Sequence, residues 1–274
     1  ADGAHCINLQ FGHTGRRRWL TLIPAAGLIL NAAWCLPYVP HSAPTASGTT
    51  FKVLSLNAYY GLADVNDLTA KVHAENPDAI VLVEMTQTTL DRVKKALPEY
   101  SYQSGEAARR GDQIQGLSGP SSVMITRLPA TQAAQPDTVA GLSAAAIEKD
   151  GRSLVVVPAH PENMVREREP WISDAKSLVS FVKPLTDRPL LIAGDFNAVP
   201  EHYTYRLLTG IGLHGASEQA GAGWVPTYPA NKRIPPLIPI DHMLLSSSVT
   251  ATSFQTFTIS GTDHLGIVAE VVVK

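Results

Sequence analysis

Short apolar runs bounded by turn-forming residues recur through residues 51–274, and they restrict the possible fold more than any other feature of the sequence. Runs of this length are typical of buried or half-buried β-strands. The pattern predicts strands at Phe51–Leu56, Ala79–Val83, Ser122–Thr126, Ser153–Val157, Leu190–Ala193, Ile240–Leu245, Phe254–Ile259 and Ile267–Val273.

Segments between these strands have the apolar spacing of amphipathic helices. Asp64 can cap the first of them, which carries Leu68 and Val72 on one face. The others are Thr88–Leu97, Trp171–Val182 and Glu201–Thr209. Many short strands with helices among them favour a layered α/β domain, although the pattern does not give the order of the strands.

The first fifty residues differ from the rest of the chain. Arg16–Arg18 precede Trp19–Val39, which is 21 residues without a charge. About 20 apolar residues span a bilayer as a helix, and a basic flank favours a cytoplasmic N-terminus. We therefore predict a basic segment at 1–18, a transmembrane helix or signal anchor at 19–39, a linker at 40–50 and a folded domain at 51–274. A buried helix and a cleaved signal peptide are the alternatives. Both the anchored and the signal interpretations place residues 51–274 outside the cytoplasm, in a periplasm or at the cell surface.

Polar side chains follow several of the predicted strands at the point where each strand ends. Asn57 ends the first strand, and Glu84 follows four aliphatic residues. Asp195 and Asn197 come after Gly194 and would point to one face of an extended segment. A buried carboxylate needs a partner, such as a divalent cation, because its desolvation is costly. Each residue taken alone also fits a structural role as a turn former or an ion-pair partner.

Histidines lie near the same strand ends. His160 closes one strand, and the dipeptides Asp241-His242 and Asp263-His264 lie beside two others. Histidine can transfer protons near neutral pH, and a neighbouring carboxylate can fix its tautomer. Each of these histidines taken alone is more often structural than catalytic, so the order of the whole set carries the argument.

Taken in order, Asn57, Glu84, His160, Gly194-Asp195-Phe196-Asn197, Ile240-Asp241 and Thr262-Asp263-His264 resemble the motifs of the endonuclease/exonuclease/phosphatase superfamily, the DNase I-like proteins. This resemblance covers roughly residues 51–274. It implies a four-layer α/β/β/α sandwich of two packed mixed sheets. The segments Val225-Pro226-Thr227-Tyr228-Pro229 and Pro239-Ile240-Asp241-His242, with the hydrophobic N-terminal segment, resemble a bacterial membrane-tethered branch.

The resemblance also implies a metal site. Glu84 matches the principal Mg²⁺ ligand of the superfamily, and Asn57 and Asp263 match residues near the metal or its waters. Mg²⁺ prefers carboxylate and other oxygen ligands, and Mn²⁺ is a possible substitute.

The remaining residues match catalytic groups. Asp195 would position and deprotonate the attacking water, and Asn197 would bind a phosphate oxygen. His160 and His264 would flank the scissile phosphate, with Asp241 orienting one of them. The resemblance gives no role to His242.

The sequence therefore predicts metal-dependent hydrolysis of phosphate esters, by a phosphodiesterase or nuclease acting outside the cytoplasm. A phosphomonoesterase and a non-catalytic exported binding domain are the alternatives. Nucleic acid, a lipid headgroup and a small molecule are the candidate substrates, residues 19–39 would contact the membrane, and no obligate protein partner is evident. Residues 51–274 contain 19 basic and 23 acidic residues, which weighs against nucleic acid. A local basic patch at Arg109-Arg110, or at Arg166 and Arg168, could still serve such a substrate.

Overall fold

The structure, a computed structural model, describes residues 14–108, 121–137, 141–163 and 168–274. The chain divides into two compact units, Ala1–Val39 and Pro40–Lys274. In the first unit, helix α1 spans Thr14–Cys35 and continues into a short 3₁₀-helix at Leu36–Tyr38. The basic residues Arg109, Arg110 and Arg166 lie outside the described residues, whereas Arg168 begins a helix of the second unit.

Helix α1 corrects one of the sequence predictions. Within the described residues, no helix combines the length and the apolar character needed to cross a membrane. Within the uncharged run the α-helix ends at Cys35, and Pro24 and Asn31 lie inside the helix and lower its mean hydropathy. The predicted transmembrane helix at 19–39 and the membrane contact through it are therefore not supported. The predicted location, anchored or exported with the catalytic domain outside the cytoplasm, is wrong on the same ground.

In the second unit, the described strands form two six-stranded mixed sheets. The first sheet has the order β11-β12-β1-β2-β4-β3, with β1 at Thr49–Asn57, β2 at Ala79–Val83, β3 at Tyr102–Gly105, β4 at Val123–Thr126, β11 at Val249–Phe257 and β12 at Gly266–Val273. The second has the order β5-β6-β7-β8-β10-β9, with β5 at Ala130–Asp137, β6 at Leu142–Lys149, β7 at Arg152–Ala159, β8 at Leu190–Asp195, β9 at His214–Gly215 and β10 at Asp241–Leu245. The strands β3, β5, β6 and β9 were not predicted from the sequence.

Helices cover the outer face of each sheet. Four of them are α2 at Val65–Glu75, α3 at Gln87–Ala96, α4 at Arg168–Val182 and α5 at Tyr203–Thr209, and a single turn, α6, spans Ala216–Gln219. Side chains alternate across each strand, so that Val53 and Leu191 fill the core between the sheets. Their neighbours Leu54 and Ile192 pack in the outer cores, which include residues of α2 and α3 and of α4 and α5 respectively. The predicted four-layer α/β/β/α sandwich is confirmed.

Local sequence explains where two of these helices form. Asp64 caps α2, because its Oδ1 atom accepts hydrogen bonds from the backbone nitrogens of Asn66 and Asp67 at 2.8 and 2.9 Å. Helix α4 buries Trp171, Ala175, Leu178 and Val182, the residues at 3–4 spacing. Both features were expected from the pattern of the chain.

The described residues contain one parallel pair of strands in each sheet, β1–β2 and β7–β8. Their registers align Asn57 with Val83 and Ala159 with Gly194. Parallel strands end at the same edge of a sheet, and antiparallel neighbours begin there. Strand β12 begins beside the end of β1, and β10 begins beside the end of β8. This arrangement determines where the polar strand-end residues lie.

Candidate active site

The ends of the two parallel pairs bring four of the predicted residues together. Asn57 ends β1, Glu84 follows β2, His160 follows β7 and Asp195 ends β8. The Asn57 amide nitrogen Nδ2 lies 3.1 Å from Glu84 Oε1 and 3.1 Å from Asp195 Oδ2, and donates to both. One amide thus links a carboxylate of the first sheet to a carboxylate of the second.

The backbone at this edge is held in unusual conformations. Gly194 has φ 146°, and a Cβ there would collide with the carbonyl oxygen of Ala159. Glu84 and Asn197 have φ 50° and 48°, in the left-handed region that residues other than glycine disfavour. Such conformations cost on the order of 1–3 kcal/mol each and persist where the surroundings impose them. The conformation of Glu84 is supported by a hydrogen bond, because its Oε2 atom accepts from the Tyr60 backbone nitrogen at 3.2 Å.

Asp195 lies at the centre of the site and is almost fully buried. Its Oδ1 accepts a hydrogen bond from the Asn197 backbone nitrogen at 2.8 Å. Its Oδ2 lies 3.8 Å from His160 Nε2 and 3.7 Å from His264 Nε2. Burial raises the pKa of Asp195, and the positive charge of His264 opposes that rise. Asp195 therefore contacts groups of both sheets.

His264 forms a buried pair with Asp241. Its Nδ1 atom lies 2.8 Å from Asp241 Oδ2, and both residues are about 95% or more buried. Burial acts to lower the pKa of His264, but the charges of Asp241 and Asp195 outweigh it and raise the pKa to about 10. The imidazole is therefore cationic near neutral pH, with Nε2 on the side of Asp195.

His160 and Asn197 form the opposite side of the site. His160 Nε2 lies 3.5 Å from Glu84 Oε1 and 3.5 Å from the Asn197 amide nitrogen. The same amide nitrogen donates to the carbonyl oxygen of Pro161 at 2.9 Å. Both polar side chains are thus held beside the carboxylates by short contacts.

Asp263 occupies the turn before β12. Its Oδ1 atom is buried, makes no hydrogen bond to any described residue, and lies 3.9 Å from His264 Nε2. Burial raises the pKa of this carboxyl. Its neighbour Thr262 fixes the turn, because the Thr262 hydroxyl donates to the Asn57 carbonyl at 2.7 Å and accepts from the His264 backbone nitrogen at 3.2 Å.

The segment Val225–Pro229 contributes two residues, Thr227 and Tyr228, that were not predicted to belong to the site. The buried Thr227 hydroxyl accepts hydrogen bonds from the backbone nitrogens of Ile240 and Asp241 at 3.3 and 3.2 Å. The Tyr228 ring centroid lies 5.0 Å from that of His264. No pattern in the chain indicates that this segment supports the Asp241–His264 pair.

His242 lies away from this cluster. Its Nε2 is 2.8 Å from the carbonyl oxygen of Ala198, and its ring packs against Phe196 and Tyr205. Burial lowers the pKa of His242 to about 4, so the ring is neutral at physiological pH. These contacts support the segment that carries Asp195 and Asn197.

Two overlapping groups of described residues have ligand atoms close enough to hold a metal ion. They are Glu84, His160 and Asp195, and Asp195, Asp241 and His264, with the ligand atoms of each group within 4.8 Å of one another. Asp263, which was predicted as a metal ligand, belongs to neither group. A buried cluster of carboxylates and imidazoles is the kind of environment that binds divalent cations.

Comparison with known proteins identifies the family to which this layered sandwich belongs. The model of the Endonuclease/Exonuclease/phosphatase family matches residues 54–264, so the chain belongs to that family, whose members hydrolyse phosphate esters. A search of curated proteins found no match.

Solved structures share the fold. A family protein from Bacteroides thetaiotaomicron is 15% identical with a TM-score of 0.64, and the match covers 84% of this chain and 100% of that chain. D. rerio TDP2 complexed with single-strand DNA product is 18% identical with a TM-score of 0.63, over 81% and 99% of the two chains. A B. thetaiotaomicron mannosyl-6-phosphatase is 16% identical with a TM-score of 0.60, over 81% and 99%. At these identities the similarity establishes the fold.

Proposed function

We propose that the protein is a metal-dependent phosphoesterase that acts on phosphodiesters. The observation that carries the proposal is the position of Asp195, whose carboxylate accepts from Asn57 and lies within 4 Å of the imidazoles of His160 and His264. A buried carboxylate between an amide and two imidazoles can position water beside a phosphoryl group.

The residues present fit a divalent metal. Glu84 supplies carboxylate oxygens at one side of the site, where the Asn57 amide nitrogen donates to Oε1, and Asp263 has a buried oxygen without a hydrogen-bond donor among the described residues. We propose that these three residues hold Mg²⁺, or Mn²⁺ in its place. When bound, the metal would neutralise negative charge on the phosphoryl oxygens.

The proposed chemistry uses Asp195 as the base. Asp195 accepts a proton from water as the water oxygen bonds to phosphorus. The bond from phosphorus to the leaving oxygen breaks, and its electron pair stays on that oxygen. Cationic His264 donates a hydrogen bond from Nε2 to a phosphoryl oxygen, since Asp241 engages its Nδ1 atom. His160 and the Asn197 amide supply further donors on the other side. No covalent enzyme intermediate is needed.

The site also bears on the alternatives. A non-catalytic binding domain would not require the strained backbone at Glu84 and Asn197 or the buried Asp241–His264 pair. The acidic balance of residues 51–274 argues against a substrate held mainly by phosphate neutralisation, such as long nucleic acid. A phosphomonoesterase of the same fold is the alternative that the experiment below must separate.

The test is a substrate panel assayed with the purified chain and Mg²⁺ or Mn²⁺. The panel contains bis-p-nitrophenyl phosphate, p-nitrophenyl phosphate, plasmid DNA and a phospholipid. We expect turnover of the diester that is lost in Glu84→Gln and kept in Asp150→Asn, a matched change in an exposed hairpin turn. Faster turnover of the monoester would favour the phosphomonoesterase. Turnover of no ester with either metal would refute the proposal.

A further inference from the structure

Exposed apolar side chains are concentrated in two loops of the second unit. Single exposed apolar residues are ordinary on protein surfaces, whereas a cluster indicates a binding surface. Among its described residues, the exposed large apolar side chains are Tyr60, Leu62, Trp224, Ile234, Leu237 and Ile238, together with Tyr203 at the start of α5. Leu62, Ile234 and Leu237 are more than half exposed, at 62%, 52% and 55%.

The first loop, residues 59–62, is fixed to the candidate active site. The Tyr60 backbone nitrogen donates to Glu84 Oε2, and the Tyr59 backbone nitrogen donates to Asn57 Oδ1 at 2.8 Å. The chain after Leu62 is held to the turn before Asp263, because the Asp64 backbone nitrogen donates to the Ser260 carbonyl at 2.7 Å. The exposed side chains of this loop therefore lie beside the carboxylates.

The second loop, residues 224–238, is fixed to the other side of the same residues. Tyr228 and Ile238 exchange backbone hydrogen bonds, each of 3.1 Å, and the Tyr228 ring packs against His264. The Ala230 backbone nitrogen donates to the Asp263 carbonyl at 2.7 Å. The exposed Ile234 and Leu237 thus extend from a segment bound to the catalytic turn.

A groove of about 600 Å³ continues the apolar surface of the second loop. Its lining includes Trp224, Pro226, Pro235 and Leu265, of which Leu265 directly follows His264. Two exposed cations, Lys232 and Arg233, lie in the same loop. The surface therefore combines apolar side chains with positive charge next to a site proposed for phosphate, which is the chemistry of an amphiphilic anion.

We infer that the site selects phosphate esters that carry an apolar chain, and that the loops 59–62 and 224–238 bind this chain. The occupant is the apolar part of a single substrate molecule. The inference rests on the proposed phosphoesterase function and adds a substrate class to it. Each methylene that the surface buries would contribute up to about 0.8 kcal/mol, or about fourfold in kcat/KM. A half-open surface should yield roughly twofold for each methylene.

The experiment uses a series of alkyl p-nitrophenyl phosphodiesters from methyl to octyl, all below their critical micelle concentrations. The leaving group stays constant, so the ratio of kcat/KM for the octyl and methyl esters reports binding of the chain. We expect this ratio to be on the order of 10² in the parent protein, at roughly twofold for each methylene. In Leu237→Asn and Ile234→Asn we expect it to fall several-fold. The matched control Leu28→Asn changes an exposed leucine of α1 and should keep the parent ratio.

The outcomes separate the inference from the function on which it rests. If the methyl ester is hydrolysed but the ratio is near one, the chain is not bound and the inference is refuted while the function stands. A rise in kcat/KM with chain length that occurs only above the critical micelle concentration would show binding to an aggregate surface, and would also overturn the inference. An equal fall in the octyl-to-methyl ratio in the control Leu28→Asn would also overturn the inference. If no ester of the series is hydrolysed with Mg²⁺ or Mn²⁺, the proposed function itself fails.

Discussion

His242 should make the folded protein less stable in acid, by an amount that follows from its environment. Burial between Phe196 and Tyr205 lowers its pKa to about 4 from an ordinary value of 6.5. Below pH 6.5 the unfolded chain binds a proton at this position that the folded chain refuses. The contribution of neutral His242 to the free energy of unfolding is therefore fully present above pH 6.5 and is lost as the pH falls towards 4. At about 1.4 kcal/mol for each pKa unit, the full loss is roughly 3 kcal/mol.

His242→Gln isolates this contribution. A glutamine amide can still donate to the Ala198 carbonyl, but it does not titrate. Urea unfolding of both proteins at pH 7.5 and pH 4.5 gives the difference in the free energy of unfolding at each pH. We expect the variant to be less stable at pH 7.5, because the ring packing is lost, and to recover about 2–3 kcal/mol relative to the parent at pH 4.5. A difference that stays constant between the two pH values would refute the reasoning, since other titrating groups cancel in the comparison.

Three further predictions concern the site. EDTA should abolish turnover and Mn²⁺ should restore it, whereas Glu84→Gln should lose ~10³-fold in activity and bind Mn²⁺ more weakly by calorimetry. Asp241→Asn should lower kcat about 10²–10⁴-fold and move the alkaline limb of the pH–rate profile to lower pH, because the charge that raises the pKa of His264 is removed; an unchanged profile would contradict this. Gly194→Ala should destabilise the fold by more than about 2 kcal/mol in urea unfolding, because its Cβ meets a backbone carbonyl at positive φ; a stability within error of the parent would be inconsistent with the close approach of β7 and β8.

The sequence predicted the strand ends well because of a simple physical contrast. In β2 and β8 a fully buried apolar run leads into Glu84 or Asp195, and in β1 the buried stretch Val53–Leu56 leads into Asn57, so the polar side chain marks the edge of the core. Strands β5 and β6 were missed for the opposite reason. Residues Ala144–Ala146 are buried in β6, yet alanine has a weak preference for strands and its pattern resembles that of a helix.

Contacts between segments that are distant in the chain could not be predicted from the sequence. Asn57 and Asp195 are 138 positions apart, and only the packing of two sheets brings the amide to the carboxylate. Thr227 supports Asp241 because its side-chain hydroxyl accepts a hydrogen bond from the Asp241 backbone nitrogen, and a single hydroxyl in a proline-rich segment does not indicate such a contact. The prediction of a transmembrane helix in the N-terminal segment was wrong for another reason. Its lack of charge suggested a membrane span, but proline and asparagine dilute its apolar character and its α-helix ends at Cys35.

The Asn57 amide has a consequence for how the protein tolerates change. Because it holds one carboxylate from each sheet at 3.1 Å, the spacing of the proposed catalytic groups depends on how far apart the two sheets lie. A substitution in the core between the sheets, for example at Val53 or Ala193, would shift that spacing even if the fold survived. The outer cores beneath the helices carry no such link between carboxylates and should tolerate substitution better, except at Phe196 and Tyr205, which pack against His242. Variation among natural relatives, and any effort to engineer stability, should therefore fall on the two outer layers, while the seam between the sheets keeps its side-chain volumes.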